Sequence, residues 1–211
     1  MYNVTSGADP DVAVNAGWIE NTQGDFYFYR QGMTPAVTKI MHEIDKERVA
    51  IASEYGNTPT SCLQQMNTYY NLNCDTLHEF AQQSSLHSTM KVCPTNMQHR
   101  YLTEDLPYVL VPWYELGVKA GKESPFIRSL ILWSSMINNT DYMKIGRNLK
   151  ALGFADWSLD EIVDIVTATS DTLATELLRY KERGHSALVP EKGPLSPFNS
   201  SRDYALLRPK L

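Results

Sequence analysis

Only three cysteines occur among 211 residues, Cys62, Cys74 and Cys93, and no two form a C-x-x-C pair. Neither a disulfide framework nor a zinc knuckle is expected from that spacing. Free thiols, buried or half-buried, in a reducing compartment are. No apolar run approaches the ~18 residues needed to cross a bilayer, so no membrane span is expected. The first residues lack a basic stretch followed by an apolar one, so no secretion leader is expected and a cytoplasmic location is. The three Asn-x-Ser/Thr triplets, at Asn3, Asn138 and Asn199, then read as chance matches. Basic residues are outnumbered 19 to 24, for a net charge of −5. A surface built to neutralise many phosphates needs the opposite balance, so nucleic acid is not expected as a partner.

The motifs of common chemistry are missing too. The chain has no G-x-G-x-x-G, no G-x-x-x-x-G-K-[ST] and no G-x-S-x-G, so a bound dinucleotide, a P-loop nucleotide and a nucleophile elbow have no support. The five histidines form no H-E-x-x-H and no close ligand pair, which leaves no metal site. His42, His78 and His87 read as solvated side chains. Asp160, Glu161 and Asp164 form an acidic helix start that complements the helix dipole. Strict apolar/polar alternation is nowhere sustained, which excludes a large sheet.

What is present is helical rhythm and an aromatic supply of four Trp, twelve Tyr and six Phe, enough to argue against disorder. Asp25-Phe26-Tyr27-Phe28-Tyr29 between Gly24 and Gly32 suits a short extended segment near 26–29. Thr34-Pro35 is a cap followed by a proline whose missing N–H costs nothing. Val37, Ile40, Met41, Ile44, Ile51 and Tyr55 follow at helical spacing, with Glu43, Lys46 and Glu47 on the wet side and Gly56 as a stop. Thr60 or Ser61 caps a segment carrying Leu63, Met66 and Tyr70. Thr76 with Glu79 forms a capping pair before Phe80. Ser124-Pro125 opens a helix with Ile127, Leu130 and Ile131 on one face, and Asp141 opens one that closes at Gly153. Ser158 and Glu161 cap a single helix over 158–183, about 39 Å long at 1.5 Å per residue. Beyond Gly184 a Pro-rich tail carries Pro190, Pro194, Pro197 and Pro209.

One stretch, from Gln98 to Pro112, packs a His, an Arg and two acids into seven residues ahead of an apolar run. Thr103, Glu104 and Asp105 suit a helix N-terminus, where acids meet unpaired amides. A plain reading makes it a capped helix with a surface ion pair worth about 0–1 kcal/mol. A functional reading makes Arg100 a fork for a substrate carboxylate beside an acid that supports proton transfer.

The string His99-Arg100-Tyr101-Leu102-Thr103-Glu104-Asp105-Leu106-Pro107-Tyr108-Val109-Leu110-Val111-Pro112 closely resembles a signature of the C-terminal, all-helical domain of the octopine/nopaline (opine) dehydrogenase family. Three further pieces fall in the same order. Asn15-Ala16-Gly17-Trp18-Ile19-Glu20 with Gly24 to Arg30 looks like that domain's entry. Thr34-Pro35 with Ile44-Asp45-Lys46-Glu47-Arg48 resembles its first long helix, and Asp141-Tyr142, Gly146-Arg147 and Leu152-Gly153 resemble its closing helix. The likeness covers residues about 10 to 155.

The resemblance implies a mainly α fold: a multi-helix bundle of the 6-phosphogluconate dehydrogenase C-terminal type, without its Rossmann domain. It divides the chain into a helical substrate domain, 1–155, and an extension, 156–211. It implies an NAD- or NADP-dependent oxidoreductase that condenses an amino acid with a 2-oxo acid and reduces the imine in a cleft between two domains. By the family pattern Arg100 anchors a carboxylate and Asp105 orients and supports a catalytic His. His99, Asn15 and Trp18 join Arg100 as substrate-binding candidates. Two departures stand out. The family's His lies just ahead of Asn-Ala-Gly, where this chain reads Gly7-Ala8-Asp9-Pro10-Asp11, and 211 residues leave no room for a Rossmann domain. The expectation is therefore a detached domain, inactive alone and binding no cofactor itself, with the nucleotide domain missing or supplied by a separate polypeptide. The rival is a non-catalytic helical module for small-molecule binding or oligomerisation.

Overall fold

The computed structural model describes residues 10–91, 93–168 and 170–184. The Pro-rich tail and Thr169 lie outside them. Twelve α-helices follow in order among the described residues. They are α1 (Pro10–Val14), α2 (Ala16–Thr22), α3 (Pro35–Glu54), α4 (Cys62–Tyr70), α5 (Leu77–Gln83), α6 (Ser85–Ser88), α7 (Arg100–Thr103), α8 (Val111–Lys119), α9 (Pro125–Ile137), α10 (Tyr142–Ile145), α11 (Leu159–Thr167) and α12 (Ser170–Glu182). Two π-helical turns, Phe28–Gly32 and Leu106–Leu110, interrupt the series. No strand occurs among the described residues, and none of their helices is long and apolar enough to cross a membrane. The fold is mainly α.

Helix α3 is the spine. Thr34 caps it in extended conformation, accepting from the Val37 N–H at 3.4 Å, and Pro35 occupies the first helical position. Val37, Ile44 and Ile51 point inward at seven-residue intervals. Glu47 was expected in water beside Glu43 and Lys46. Glu43 and Lys46 do form a surface pair, at 2.8 Å. Glu47 instead accepts from the Phe126 and Ile127 N–H groups at 2.9 and 2.8 Å, so a carboxylate of α3 caps α9, which has no side-chain cap of its own. Asp45 bridges the other way. It pairs with Arg48 and accepts from the Cys62 N–H, while Arg48 holds the Thr60 carbonyl, so the α3–α4 loop is tied down. The main core gathers α1, α3, α8 and α9 with the second π-turn around Val12, Ile51, Leu106, Leu110, Ile127 and Ile131.

Four local expectations are corrected. The segment near 26–29 is not a strand: Tyr27 is extended, but Phe28 starts a π-turn, and the Gln31 side chain accepts the Tyr27 N–H at 2.7 Å. Phe26 and Phe28 are both buried, which produced the strand-like alternation. The helix from Asp141 ends at Ile145, because Gly146 turns extended (ψ 169°) to lie against the second π-turn. The single helix over 158–183 is two. Helix α11 stops at Thr167 and Ala168 is extended, so α12 folds back. Thr-Ala-Thr-Ser-Asp at the break holds poor helix formers and cap-type side chains, and the fold-back buries Tyr180 against Trp157 at 4.6 Å. Finally His87 is buried, not solvated, with Nδ1 at 2.8 Å from the Ser84 hydroxyl and three aromatic rings around it. His42 is exposed, as expected, and His78 is half-buried with Nδ1 2.7 Å from the Met33 carbonyl. The three cysteines are free thiols, Cys74 buried and the others half-buried.

Asp11 is fully buried in α1, and neither carboxyl oxygen has a hydrogen-bond partner. Burial pushes its pKa up to about 7, with the amides of Val12 and Asp11 itself pulling it partway back. Nearby Cys93 has its thiol raised to about 11 by burial and by Asp11. A folded-state pKa above the unfolded value of 3.8 means the native state holds the proton longer. Stability is then full below pH 4 and falls as pH rises through 7. Relative to Asp11→Asn, the wild type should lose on the order of 2–4 kcal/mol of unfolding free energy between pH 4 and pH 8. Urea titrations of both proteins across that range measure it, and parallel pH profiles would refute it.

Candidate functional site

The signature stretch folds as one short helix running into a π-turn. His99 caps α7: its Nδ1 accepts the Tyr101 N–H at 3.4 Å, which requires an unprotonated Nδ1 and places the ring proton on Nε2. Burial, then the Arg100 charge, lowers its pKa, while Glu104 opposes them. Both effects favour the capping state. Leu102 is the buried residue of α7, so its neighbours turn outward. Downstream, Leu106, Pro107 and Leu110 are buried, and the wide π-turn leaves Asp105 at its entrance.

Arg100, which a carboxylate fork would place part-buried in a concavity, is exposed instead, 59% by side chain, because α7 is a single turn whose outer side faces solvent, and it pairs with Glu104 at 3.3 Å. Asp105 is half-buried, and its carboxyl is pushed up to about 7, chiefly by burial, then by the Glu104 charge, with Arg100 opposing. Thr103, Glu104 and Asp105 do not open a helix as expected. Thr103 closes α7, and Asp105 precedes the π-turn without a side-chain cap bond.

Asn15 and Trp18 sit on the adjoining N-terminal elements. Both amide protons of Asn15 are used, on the Asp11 carbonyl at 2.8 Å and the Gly32 carbonyl at 3.2 Å, so Asn15 ties α1 to the first π-turn. Trp18 is 36% exposed and stacks on Phe26 at 4.4 Å. The first π-turn reaches the signature through Phe28, whose ring lies 5.9 Å from that of Tyr101, and α1 packs against α7. Asn15 therefore fixes α1, which packs against α7, and the signature there carries Arg100, Glu104 and Asp105.

Sequence reasoning placed Arg147 in a motif but gave it no role. Its guanidinium lies 4.9 Å from the Tyr108 ring centroid, and its backbone N–H donates to the Pro107 carbonyl at 2.8 Å. Arg100, Glu104 and Tyr108 stand at successive i, i+4 positions, so the two arginines mark the two ends of one strip, with Asp105 beside it. The available signal was the pairing of Gly146 with Arg147: a Cβ on Gly146 would lie 2.9 Å from the Pro107 oxygen and from Val111 Cβ, and 2.7 Å from the Tyr142 oxygen. The glycine lets the chain lie against the π-turn and deliver the arginine. Two open cavities, of about 410 and 320 Å³, lie elsewhere: one at Tyr114, Val118 and Arg128, the other at Pro35, His42 and His78.

Gly146→Ala should destabilise the fold by about 1–3 kcal/mol, because the close approach is to backbone that cannot move aside alone. Thermal unfolding followed by circular dichroism measures this. An unchanged midpoint would show that the π-turn does not need the contact.

Comparison with known proteins shows the family. Residues 8–138 match the family described as NAD/NADP octopine/nopaline dehydrogenase, alpha-helical domain. An opine dehydrogenase of Arthrobacter sp. (strain 1C) is 32% identical over 131 residues, covering 62% of this chain and 36% of that protein. Protein ocs of Agrobacterium vitis is 29% identical over 136 residues, 64% of this chain and 37% of its own length. A D-nopaline dehydrogenase of Agrobacterium tumefaciens (strain T37) is 37% identical over 81 residues, 38% of this chain and 20% of the relative. The chain thus spans between a fifth and little more than a third of the length of these relatives. With the family match running from α1 through the signature to the end of α9, the chain belongs to the octopine/nopaline dehydrogenase family, as its alpha-helical domain.

Proposed function

We propose that this chain supplies the substrate-carboxylate side of an opine dehydrogenase-type oxidoreductase, which condenses an amino acid with a 2-oxo acid using NADH or NADPH. In this reading residues 1–155 are the substrate unit and 156–211 an appended extension, working in the cytoplasm. One observation carries it: a half-buried acid, Asp105, with a pKa near 7, stands beside a strip that ends in an arginine on either side. Two reacting acids bring two carboxylates, and two guanidinium forks match that count. The exposed Arg100–Glu104 pair contributes little by itself, so a carboxylate can take the Arg100 fork from Glu104 at small cost. Tyr108 holds the exposed Arg147 guanidinium over its ring, 4.9 Å from the centroid. Asp105, close to half-protonated at neutral pH, can hold or release a proton beside them.

The described residues do not fit a nicotinamide dinucleotide. They contain no strand, hence no strand-to-helix turn to cradle a pyrophosphate. Hydride chemistry in this reading belongs to a nucleotide-binding domain, continuous with this chain or on a separate polypeptide. His99 is spent on capping α7, so in this reading it is not the imidazole that Asp105 would support. The domain alone is inactive.

Two measurements test this. Titrated into the chain, NADH and NADPH should show no saturable fluorescence change at micromolar concentration. Pyruvate, as a simple 2-oxo acid, should perturb NMR signals of Arg100, Asp105 and Arg147 with millimolar affinity, at least ten-fold weaker in Arg100→Lys, since an ammonium cannot form the two parallel bonds. Saturable cofactor binding would overturn the division of labour. A site unmoved by pyruvate at tens of millimolar would overturn the substrate reading.

A further inference from the structure

Helix α9 is apolar on its outer side as well as its inner one. Its inner face is made of Ile127, Leu130, Ile131 and Ser134, all buried. Outward stand Phe126, Leu132, Trp133 and Met136, exposed by 46, 42, 48 and 77%. Arg128 is the only charged residue between Pro125 and Ile137, and it lies at the edge of the outer stripe. A surface helix normally wets one side, and a helix apolar all round is a buried one. Val118 of α8, 58% exposed, extends the stripe across the concavity it shares with Pro125 and Arg128.

We infer that the outer face of α9 is a homodimer interface, covered by the same face of a second copy of this chain. The exposed apolar side chains amount to about 500 Å², and with a polar rim this approaches the ~800 Å² per partner of a stable interface, in the apolar proportion of homodimers. The stripe is self-complementary. Ser129, small and exposed, sits between Phe126, Trp133 and Leu132 on the outer face, with the flexible Met136 two turns further on. A two-fold axis between Leu132 and Trp133 sets the helices antiparallel. Ser129 of each copy then receives Met136 of the other, and Leu132 of each meets Trp133 of the other. Every contact is made twice from one patch, as an isologous dimer requires. A second copy also suits the charge: the chain carries −5, yet no acidic residue lies on the stripe to repel its own image. This inference goes beyond the substrate reading and does not rest on it.

Light scattering coupled to size exclusion tests it on the intact chain. At tens of micromolar the mass should be about twice the 23.9 kDa of one chain. Trp133→Glu and Met136→Glu should each weaken the dimer at least ten-fold. Both positions face outward, so helical circular dichroism should be unchanged. The double variant Ser129→Cys with Met136→Cys should form a disulfide-linked dimer on mild oxidation, while Ser129→Cys alone should not. A monomer at 100 µM would overturn the proposal, even if the same face then bound a relative's nucleotide-binding domain. A dimer indifferent to both glutamates would place the interface elsewhere, and glutamate sensitivity without the cross-link would refute the antiparallel pairing.

Discussion

Glu47 fixes the architecture at one point: two carboxylate oxygens of α3 take the first free amides of α9. Helix α9 begins at a proline after a serine that makes no cap bond, and without Glu47 those amides would face the core edge unpaired. The cost of that arrangement, on the order of 1–3 kcal/mol for a buried donor, makes the α3–α9 register the one from which other contacts follow. Helix α9 then meets α1, α8, α10 and the second π-turn, so the signature's backbone is positioned through a capping bond made far from it in sequence. Tyr55 repeats the pattern at the far end of α3, donating to the Leu116 carbonyl at 2.9 Å, with burial raising its pKa to about 12.

The signature segment trades regular helix for two short turns, and the reason lies in its prolines and large apolar residues. Leu102, Leu106 and Leu110 are each buried at four-residue intervals, which a regular helix would drift away from the core. Widening the helix at 106–110 keeps them in line, and π-turns of this kind recur at functional sites. Asp105 is caught at that widening, too shallow to be sealed and too deep to be fully hydrated. Its shifted acidity is thus a by-product of core packing, placed beside charges that the same strip presents to solvent.

Much of this was legible in the residues. Thr34-Pro35, Thr60 or Ser61, Thr76 and Ser158 with Glu161 are caps written locally; the cap falls on Ser61, and Thr76 caps α5 although the Glu79 carboxylate takes the Asp75 N–H rather than that of Thr76. The helical class lay in the apolar rhythm and the caps, and the family likeness in short motifs of fixed order. What misled was always a long-range choice. Alternating Phe26 and Phe28 look like a strand unless the Gln31 side chain is known to take the Tyr27 amide. The apolar rhythm from Ile162 to Leu177 holds its phase across a break, so periodicity alone could not show that Tyr180 returns to Trp157 and to Asp164, where its hydroxyl bonds at 3.2 Å. The exposure of Arg100 and the place of Arg147 depend on what covers α7, which no local pattern encodes.

The hairpin of α11 and α12 is tied in by Lys119, whose ammonium donates to the Ala155 and Trp157 carbonyls at 2.9 and 2.6 Å. Trp157, Ile162, Ile165 and Tyr180 lie in the same core cluster as Val12 and Leu110. The family match ends at residue 138, yet the stretch that closes the core continues to Tyr180. Family match and cooperative core therefore draw different borders on this chain. A fragment cut at residue 138 would strand Lys119 and open a hydrophobic wall to water.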